Sequence, residues 1–172
     1  LFKLKLNGIN GNLLKWIESY LNNCRQKVAI RSSVSSTKST NAGVPQGSVL
    51  GPLFFLIYIY DIAEQLLSVC RIFADDTSLT CTSSDISHIE SILNHDLEVV
   101  NKWSKQWLVE FNPDKTEAIL FTTRKNISHP SLIFSNIHLT YVEHHKHLGI
   151  TFSHNAKWHI DHIENICASA CK

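Results

Sequence analysis

Asp75 and Asp76 stand side by side between two short runs, Arg71-Ile72-Phe73-Ala74 before them and Thr77-Ser78-Leu79-Thr80 after. The pattern predicts a β-hairpin over residues 70–82 with both acids at or near its tip. Adjacent carboxylates repel each other, and no basic neighbour in sequence offsets that cost. A divalent cation would offset it. Hard oxygen donors suit Mg²⁺, which takes a couple of carboxylates and completes its shell with water or substrate phosphates. Two such ions, about 3.5–4 Å apart, can clamp the attacking and leaving oxygens of a phosphoryl transfer. Asp is also common at plain hairpin tips, so the pair by itself is a weak signal.

Its surroundings strengthen it. Gly43-Val44-Pro45-Gln46-Gly47-Ser48 is a turn cluster, followed by Val49-Leu50-Gly51-Pro52-Leu53-Phe54-Phe55. Pro52 suits a first helical turn, where its missing N–H would have had no partner. Residues 53–67 are apolar nearly all round until Asp61, which predicts a helix buried on most of its surface. Other constellations carry less. His159, His162, Cys167 and Cys171 fall on one predicted helix, and a straight helix cannot wrap four ligands around one zinc ion. Ser48 lacks the spacing of a nucleophile elbow, and no phosphate-cradling P-loop is present. His144-His145-Lys146-His147 reads as a polar turn entering a strand.

Gly11-Asn12 predicts a turn and then a helix through Leu14, Ile17 and Leu21. Residues 26–31 predict a strand, and 32–41 a loop or weak hairpin. Asp85 caps a long amphipathic helix whose apolar face runs through Ile86, Ile89, Leu93, Leu97, Val100, Trp103 and Trp107. Asn112-Pro113 breaks it. Short strands are expected at 117–123, 132–134, 137–142 and 147–152, and a last helix from about Ala156. The pattern is mixed α+β.

The chain has 172 residues, 44% of them hydrophobic, which is enough for a packed core. The sequence opens on Leu1 and contains no Met, which reads as an internal fragment. No secretory signal is evident. The longest apolar run, residues 52–59, is far short of the ~20 residues of a membrane span. Five scattered Cys read as reduced thiols of an intracellular protein. Net charge is +1, but residues 1–38 hold seven cations (Lys3, Lys5, Lys15, Arg25, Lys27, Arg31, Lys38) against the single acid Glu18. Such a segment is either a solvated surface or a face for a polyanion.

Taken in order, these strings resemble the reverse transcriptases of LINE-like (non-LTR, jockey-type) retrotransposons. The stretch 43–55 resembles their Pro-Gln-Gly segment, and Phe73-Ala74-Asp75-Asp76-Thr77 the Phe-Ala-Asp-Asp form of their catalytic box. Leu1 to Ile9 is similar to the stretch after the first catalytic box. Trp16 to Leu21 and Arg25 to Val28 are similar to the next helix and strand, Asn112 to Thr116 to the Lys-Thr segment, and His147-Leu148-Gly149-Ile150 to the primer grip. The likeness spans essentially the whole chain. It implies a right-hand polymerase palm, an antiparallel sheet backed by helices, over 1–155, the start of a thumb helix over 156–172, and missing fingers.

The resemblance also implies roles. Asp75 and Asp76 fall on the metal-binding carboxylates, for Mg²⁺ or alternatively Mn²⁺. Pro45, Gln46, Gly47, Ser48, Phe73 and Ala74 fall beside the template and incoming nucleotide, and Gly47 there permits a close backbone approach that a Cβ would block. Lys115 falls on the lysine proposed to protonate the pyrophosphate leaving group; the plainer alternative is an exposed turn lysine. Leu148 and Gly149 fall on the primer grip. The implied partners are an RNA template, a DNA primer, dNTP and the remainder of a retrotransposon polyprotein, with no membrane. The implied setting is the nucleus or a cytoplasmic ribonucleoprotein.

Two departures qualify this. The family's further carboxylate lies just before Leu1, and residues 1–17 hold no Asp or Glu, so the fragment alone is not expected to polymerise. Tyr60 stands where Asn is expected before Asp61. The alternatives are a truncated relic that at most binds primer–template, and an RNA-templated RNA polymerase.

Overall fold

Apolar residues at steps of three and four decide the first helices. The computed structural model describes residues 1–40, 42–157, 162–164 and 166–167, and the chain divides into two units, Leu1–Asp61 and Ile62–Lys172. In the first unit a short helix α1 (Phe2–Leu6) leads through a turn at Gly8 into α2 (Gly11–Leu21). Ile17 is buried, with Leu14 and Leu21 half-buried beside it, as their spacing requires. Trp16 stacks on Tyr20, whose ring also meets Phe54 with centroids 5.9 Å apart.

Residues 24–40 form one long arm. Strands β1 (Arg25–Gln26), β2 (Ala29–Ile30), β3 (Ser33–Val34) and β4 (Lys38–Ser39) pair as β1 with β4 and β2 with β3, both antiparallel. The strand expected at 26–31 is therefore two short pieces, and it turns back at Arg31-Ser32, with Arg31 in the left-handed region (φ 54°). The expected weak hairpin at 32–41 is its return limb.

Helix α3 (Gly51–Ile59) starts with Pro52 in its first turn and tightens into a 3₁₀ turn over Tyr60–Ala63. It is shorter than the 53–67 expected. It is also less buried than expected. Gly51 and Ile59 are covered, but Leu53 and Leu56 are 50% and 57% exposed, because the elements packed on it, α1 among them, cover only one side. Lys3 joins α1 to this region. Its Nζ donates to the Tyr58 carbonyl and to Asp61 Oδ1 at 2.6 Å, and lies 5.1 Å from the centre of the Tyr58 ring. Lys3 is 4% exposed, so it leaves the set of cations open to a polyanion. Burial, then the Asp61 charge, pushes the Tyr58 hydroxyl pKa up.

This contact gives a direct prediction. Lys3→Ala would leave a half-buried carboxylate and a carbonyl without their cation. Because Asp61 keeps some solvent, the loss should be about 2 kcal/mol, below that of a fully buried pair. A denaturant midpoint unchanged from the parent would contradict it.

The second unit is built on α4 (Ile86–Trp107). Asp85 caps it, accepting from the Ser87 N–H at 3.0 Å, and Leu108 ends it at φ 55°. Ile89, Leu97, Val100 and Trp103 are buried along the expected stripe, with Ala118, Leu132 and Phe134 completing the core. The hairpin β5 (Val69–Phe73) and β6 (Asp76–Thr80) precedes α4. After it come a 3₁₀ turn over Pro113–Lys115 and strands β7 (Glu117–Ala118), β8 (Ile133–Phe134), β9 (Ile137–His138), β10 (Thr140–Tyr141), β11 (His144–His147) and β12 (Ile150–Ser153). Asn94 on α4 holds β8 as a neighbouring strand would, donating to the Ser131 carbonyl at 2.8 Å and accepting from the Ile133 N–H at 2.9 Å.

The class is α+β, as expected. Among the described residues the strands form six separate two-stranded ladders rather than one sheet, and β7 with β10 is parallel. Most strands are two residues long, too short to carry a wide sheet. The expected strand at 147–152 is in fact a hairpin. His144–His147 is its first limb rather than a turn, and Leu148-Gly149 is the turn. The expected thumb helix over 156–172 lies largely outside the described residues, of which 162–164 and 166–167 are helical. His159 and Cys171 lie outside them as well.

Candidate active site

The β5–β6 ladder is paired from Val69 opposite Thr80 to Phe73 opposite Asp76. That register leaves Ala74 and Asp75 as a two-residue turn. Asp75 is at the apex, and Asp76 opens the returning strand. Ala74 has φ 51°, while Asp75 is outside the left-handed region. This is the φ pattern of a type II′ turn, whose first central position is normally glycine. An alanine there stores about 1 kcal/mol of strain. A bulkier β-branched side chain fits the conformation worse, so Ala74→Val should destabilise the hairpin by a further 1 kcal/mol or so. An unshifted thermal midpoint would argue that the turn is unstrained.

Strand alternation sorts the side chains. Cys70, Ile72, Thr77 and Leu79 share a half-buried face, and Arg71, Phe73, Asp76 and Ser78 share the other. Phe73 is 62% exposed directly across from Asp76. Arg71 reaches along the strand toward Thr80 Oγ1 at 3.4 Å, away from the tip. Both carboxylates are exposed. Among the described residues of this unit, neither has a hydrogen-bond or ion-pair partner.

The root of the hairpin is held from below. Asp96, fully buried on α4, accepts from the Leu67 N–H at 2.9 Å and the Ser68 N–H at 2.7 Å, the residues just before β5. Its Oδ1 also meets His95 Nδ1 at 3.0 Å. Burial pushes the Asp96 pKa up, but the bonds from Leu67, Ser68 and His95 outweigh it and hold the carboxyl below its ordinary value. Burial and then the Asp96 charge push the Cys70 thiol up. Sequence reading missed Asp96. The signal was its place within the apolar stripe, three residues after Leu93 and four before Val100.

In the first unit, Pro45-Gln46-Gly47-Ser48 is a tight turn closed by the Ser48 N–H on the Pro45 carbonyl at 3.1 Å. Gly47 takes its third position at φ 80°, the requirement of a type II turn. A Cβ on Gly47 would meet nothing within 4 Å in this chain, so backbone conformation, rather than crowding by the protein, asks for glycine here. Pro45, Gln46 and Gly47 are exposed and Ser48 is half-buried. Ser48 Oγ accepts from the Gly51 N–H at 3.1 Å, and a Cβ on Gly51 would lie 3.1 Å from that oxygen. The loop is thereby packed tightly onto the start of α3.

The remaining expected residues fall in the second unit. Lys115 is exposed at the end of the 3₁₀ turn, which Asn112 caps by accepting from the Asp114 N–H at 3.0 Å. It makes no ion pair with Asp75 or Asp76 among the described residues. Leu148 (φ 50°) and Gly149 (φ 84°) are the two central residues of the β11–β12 turn, the φ pattern of type I′. The Lys3–Asp61 contact was also missed, since its partners are 58 residues apart and nothing local announces it.

Comparison with known proteins shows the family of the chain. The family profile described as reverse transcriptase (RNA-dependent DNA polymerase) matches residues 1–152. The chain is 32% identical over 145 residues to the probable RNA-directed DNA polymerase from transposon BS of Drosophila melanogaster, covering 78% of this chain and 16% of that protein. It is 28% identical over 158 residues to the RNA-directed DNA polymerase from mobile element jockey of the same organism, covering 87% and 17%. The corresponding protein of transposon X-element, also from Drosophila melanogaster, is 30% identical over 122 residues, covering 68% and 13%. The chain thus spans less than a fifth of the length of these relatives. No solved structure matches it significantly. With the family profile covering nearly nine-tenths of its length and Asp75-Asp76 at the hairpin tip, the chain belongs to the reverse transcriptase family, in the branch of jockey-like non-LTR retrotransposons.

Proposed function

We propose that this chain is the palm portion of a retrotransposon RNA-directed DNA polymerase, which joins a dNTP to a primer 3′-OH on an RNA template. The observation that carries the reading is the pair of exposed carboxylates at a hairpin tip with no cation beside them among the described residues of their own unit. Two hard oxygen donors left uncompensated fit Mg²⁺, or Mn²⁺ in its place. Among the described residues no third His, Cys, Asp or Glu joins them, so the remaining positions fall to water, phosphate oxygens and a carboxylate from elsewhere in the polymerase. A bound divalent ion would supply charge neutralisation at the phosphates and at the primer oxygen.

The chain's own residues would supply position. Asp75 presents its carboxylate from the apex, and Asp76 is fixed one step behind by the strand ladder. Phe73 offers an exposed apolar ring beside Asp76. In the Gln46-Gly47 turn, Gly47 offers a backbone free of side-chain bulk to a nucleotide. Lys115 would donate a proton to the departing pyrophosphate, and the Leu148-Gly149 turn would seat the primer end. Work on an RNA template places the protein inside the cell, in the nucleus or a ribonucleoprotein. No helix of the described residues is long and apolar enough to cross a membrane.

Primer extension tests this, with the chain extended upstream through the family's first box. DNA synthesis on RNA with dNTPs and Mg²⁺ is the expected result. Extension with rNTPs instead would assign an RNA polymerase, and no extension under any condition would leave a relic.

A further inference from the structure

The arm of residues 24–40 is a surface whose chemistry the catalytic reading leaves unused. Every residue from 25 to 39 is exposed. Within it lie Arg25, Lys27, Arg31 and Lys38, and no acid. Bonds between Val28 and Ser35 and between Cys24 and Thr40 make the two short ladders one continuous hairpin. Ser36 and Thr37 together face the single residue Lys27, a β-bulge that twists the arm. Alternation along the outgoing limb puts Arg25 and Lys27 on one side, about 7 Å apart, with Arg31 beyond them at the turn and Lys38, the partner of Gln26, on the other side. Arg31 holds a left-handed conformation that glycine or asparagine would adopt more easily. At the root of the arm is a polar cleft of about 290 Å³, lined among others by Asn22, Asn23, Arg25, Ser39 and Thr40.

We infer that this arm and its root cleft bind the sugar–phosphate backbone of the template–primer, without reading its sequence. The donors are those that phosphates take: arginine, lysine and, on the return limb, a run of serine and threonine hydroxyls. The arm contains no Phe, Tyr or Trp. It therefore has neither the stacking platform of a base-reading or single-strand-binding surface nor the aromatic anchors of an interfacial membrane segment. Arg25 and Lys27, spaced along one side of the ribbon, suit the regular charge of a polyanion, and Lys38 adds to the positive field from the other side. The inference deepens the polymerase reading and rests on it only for the choice of an RNA–DNA hybrid as ligand.

The test measures binding without nucleotide, so it stands apart from catalysis. Fluorescence anisotropy of the whole chain with a labelled RNA–DNA hybrid, over a salt series, is compared with a variant carrying R25Q, K27Q, R31Q and K38Q. The variant should bind at least tenfold more weakly at low salt. Its log–log salt slope should flatten by about 0.7–0.9 for each cation that met a phosphate. Hybrids of unrelated sequence should behave alike. The control K5Q/K15Q, on exposed cations outside the arm, should keep the parent slope. Unchanged affinity and slope in the quadruple variant would overturn the inference. So would loss of binding to phosphatidylserine vesicles with hybrid binding intact, or self-association of the variant with hybrid binding intact, which would assign the charges to keeping exposed strands apart. If the arm variant loses binding while D75N leaves extension untouched, the arm stands and the catalytic assignment falls.

Discussion

Asp75→Asn in an extension-competent chain should lower dNTP incorporation about a thousandfold, the scale for removing one group aimed at developing charge in a transition state. The substitution keeps shape and removes half of the charge at the tip. Because the Asp75 carboxylate has no partner among the described residues of its unit and is repelled by Asp76, folding should not be weakened and the denaturation midpoint should not fall. Asp75→Glu keeps the charge but displaces it by a methylene. A misplacement of about 1 Å costs on the order of a hundredfold, so this variant should fall between the two. Single-turnover extension checks both. An Asp75→Asn enzyme within tenfold of the parent would remove Asp75 from the chemistry.

Asp96→Ala should do the opposite, with stability as the first casualty. Two backbone N–H groups at the root of β5 would lose a charged, fully buried acceptor. Bonds to charged groups contribute about 1.5–3 kcal/mol each, and buried donors left unpaired add to the loss, so a total near 3–4 kcal/mol is expected. The sign of the pH dependence follows from the lowered pKa. Asp96 stabilises the fold fully above its ordinary value of 3.8, and that contribution is lost as pH falls through the lower folded value. Acid titration of stability should show this loss in the parent, and less of it in Asp96→Ala. Equal acid sensitivity in both chains would remove Asp96 from the linkage.

Much of the scaffold was legible because it is governed by local pattern. The α4 stripe from Ile86 to Trp107 emerged with each residue on the side expected, and Asp85 capped it. The hairpin around Asp75-Asp76 was readable from its flanks. Illegible features depended on distance or on unusual dihedrals. Lys3 finds Asp61 across 58 positions, and only folding brings them together. Leu148 adopts φ 50°, a conformation its side chain gives no hint of, so in sequence the hairpin looks like one strand. Helix α3 has no polar side to mark its solvent face. Its length and exposure were misjudged for the same reason. Asp96 was overlooked because attention to apolar positions passes over an acid that shares their side of the helix.

The parallel pairing of β7 with β10 has a kinetic consequence. Among the described residues, every other ladder in the second unit is a hairpin closed by a short turn, and such pairs zip within microseconds of one another. Glu117 meets Thr140 only after the intervening chain, with its own β8–β9 hairpin, has looped back. The entropy of that closure must be met before any bond rewards it. This small ladder therefore closes later than the hairpins, and stopped-flow refolding should be slowed more by substitutions around Ala118 and Tyr141 than by changes at the hairpin tips.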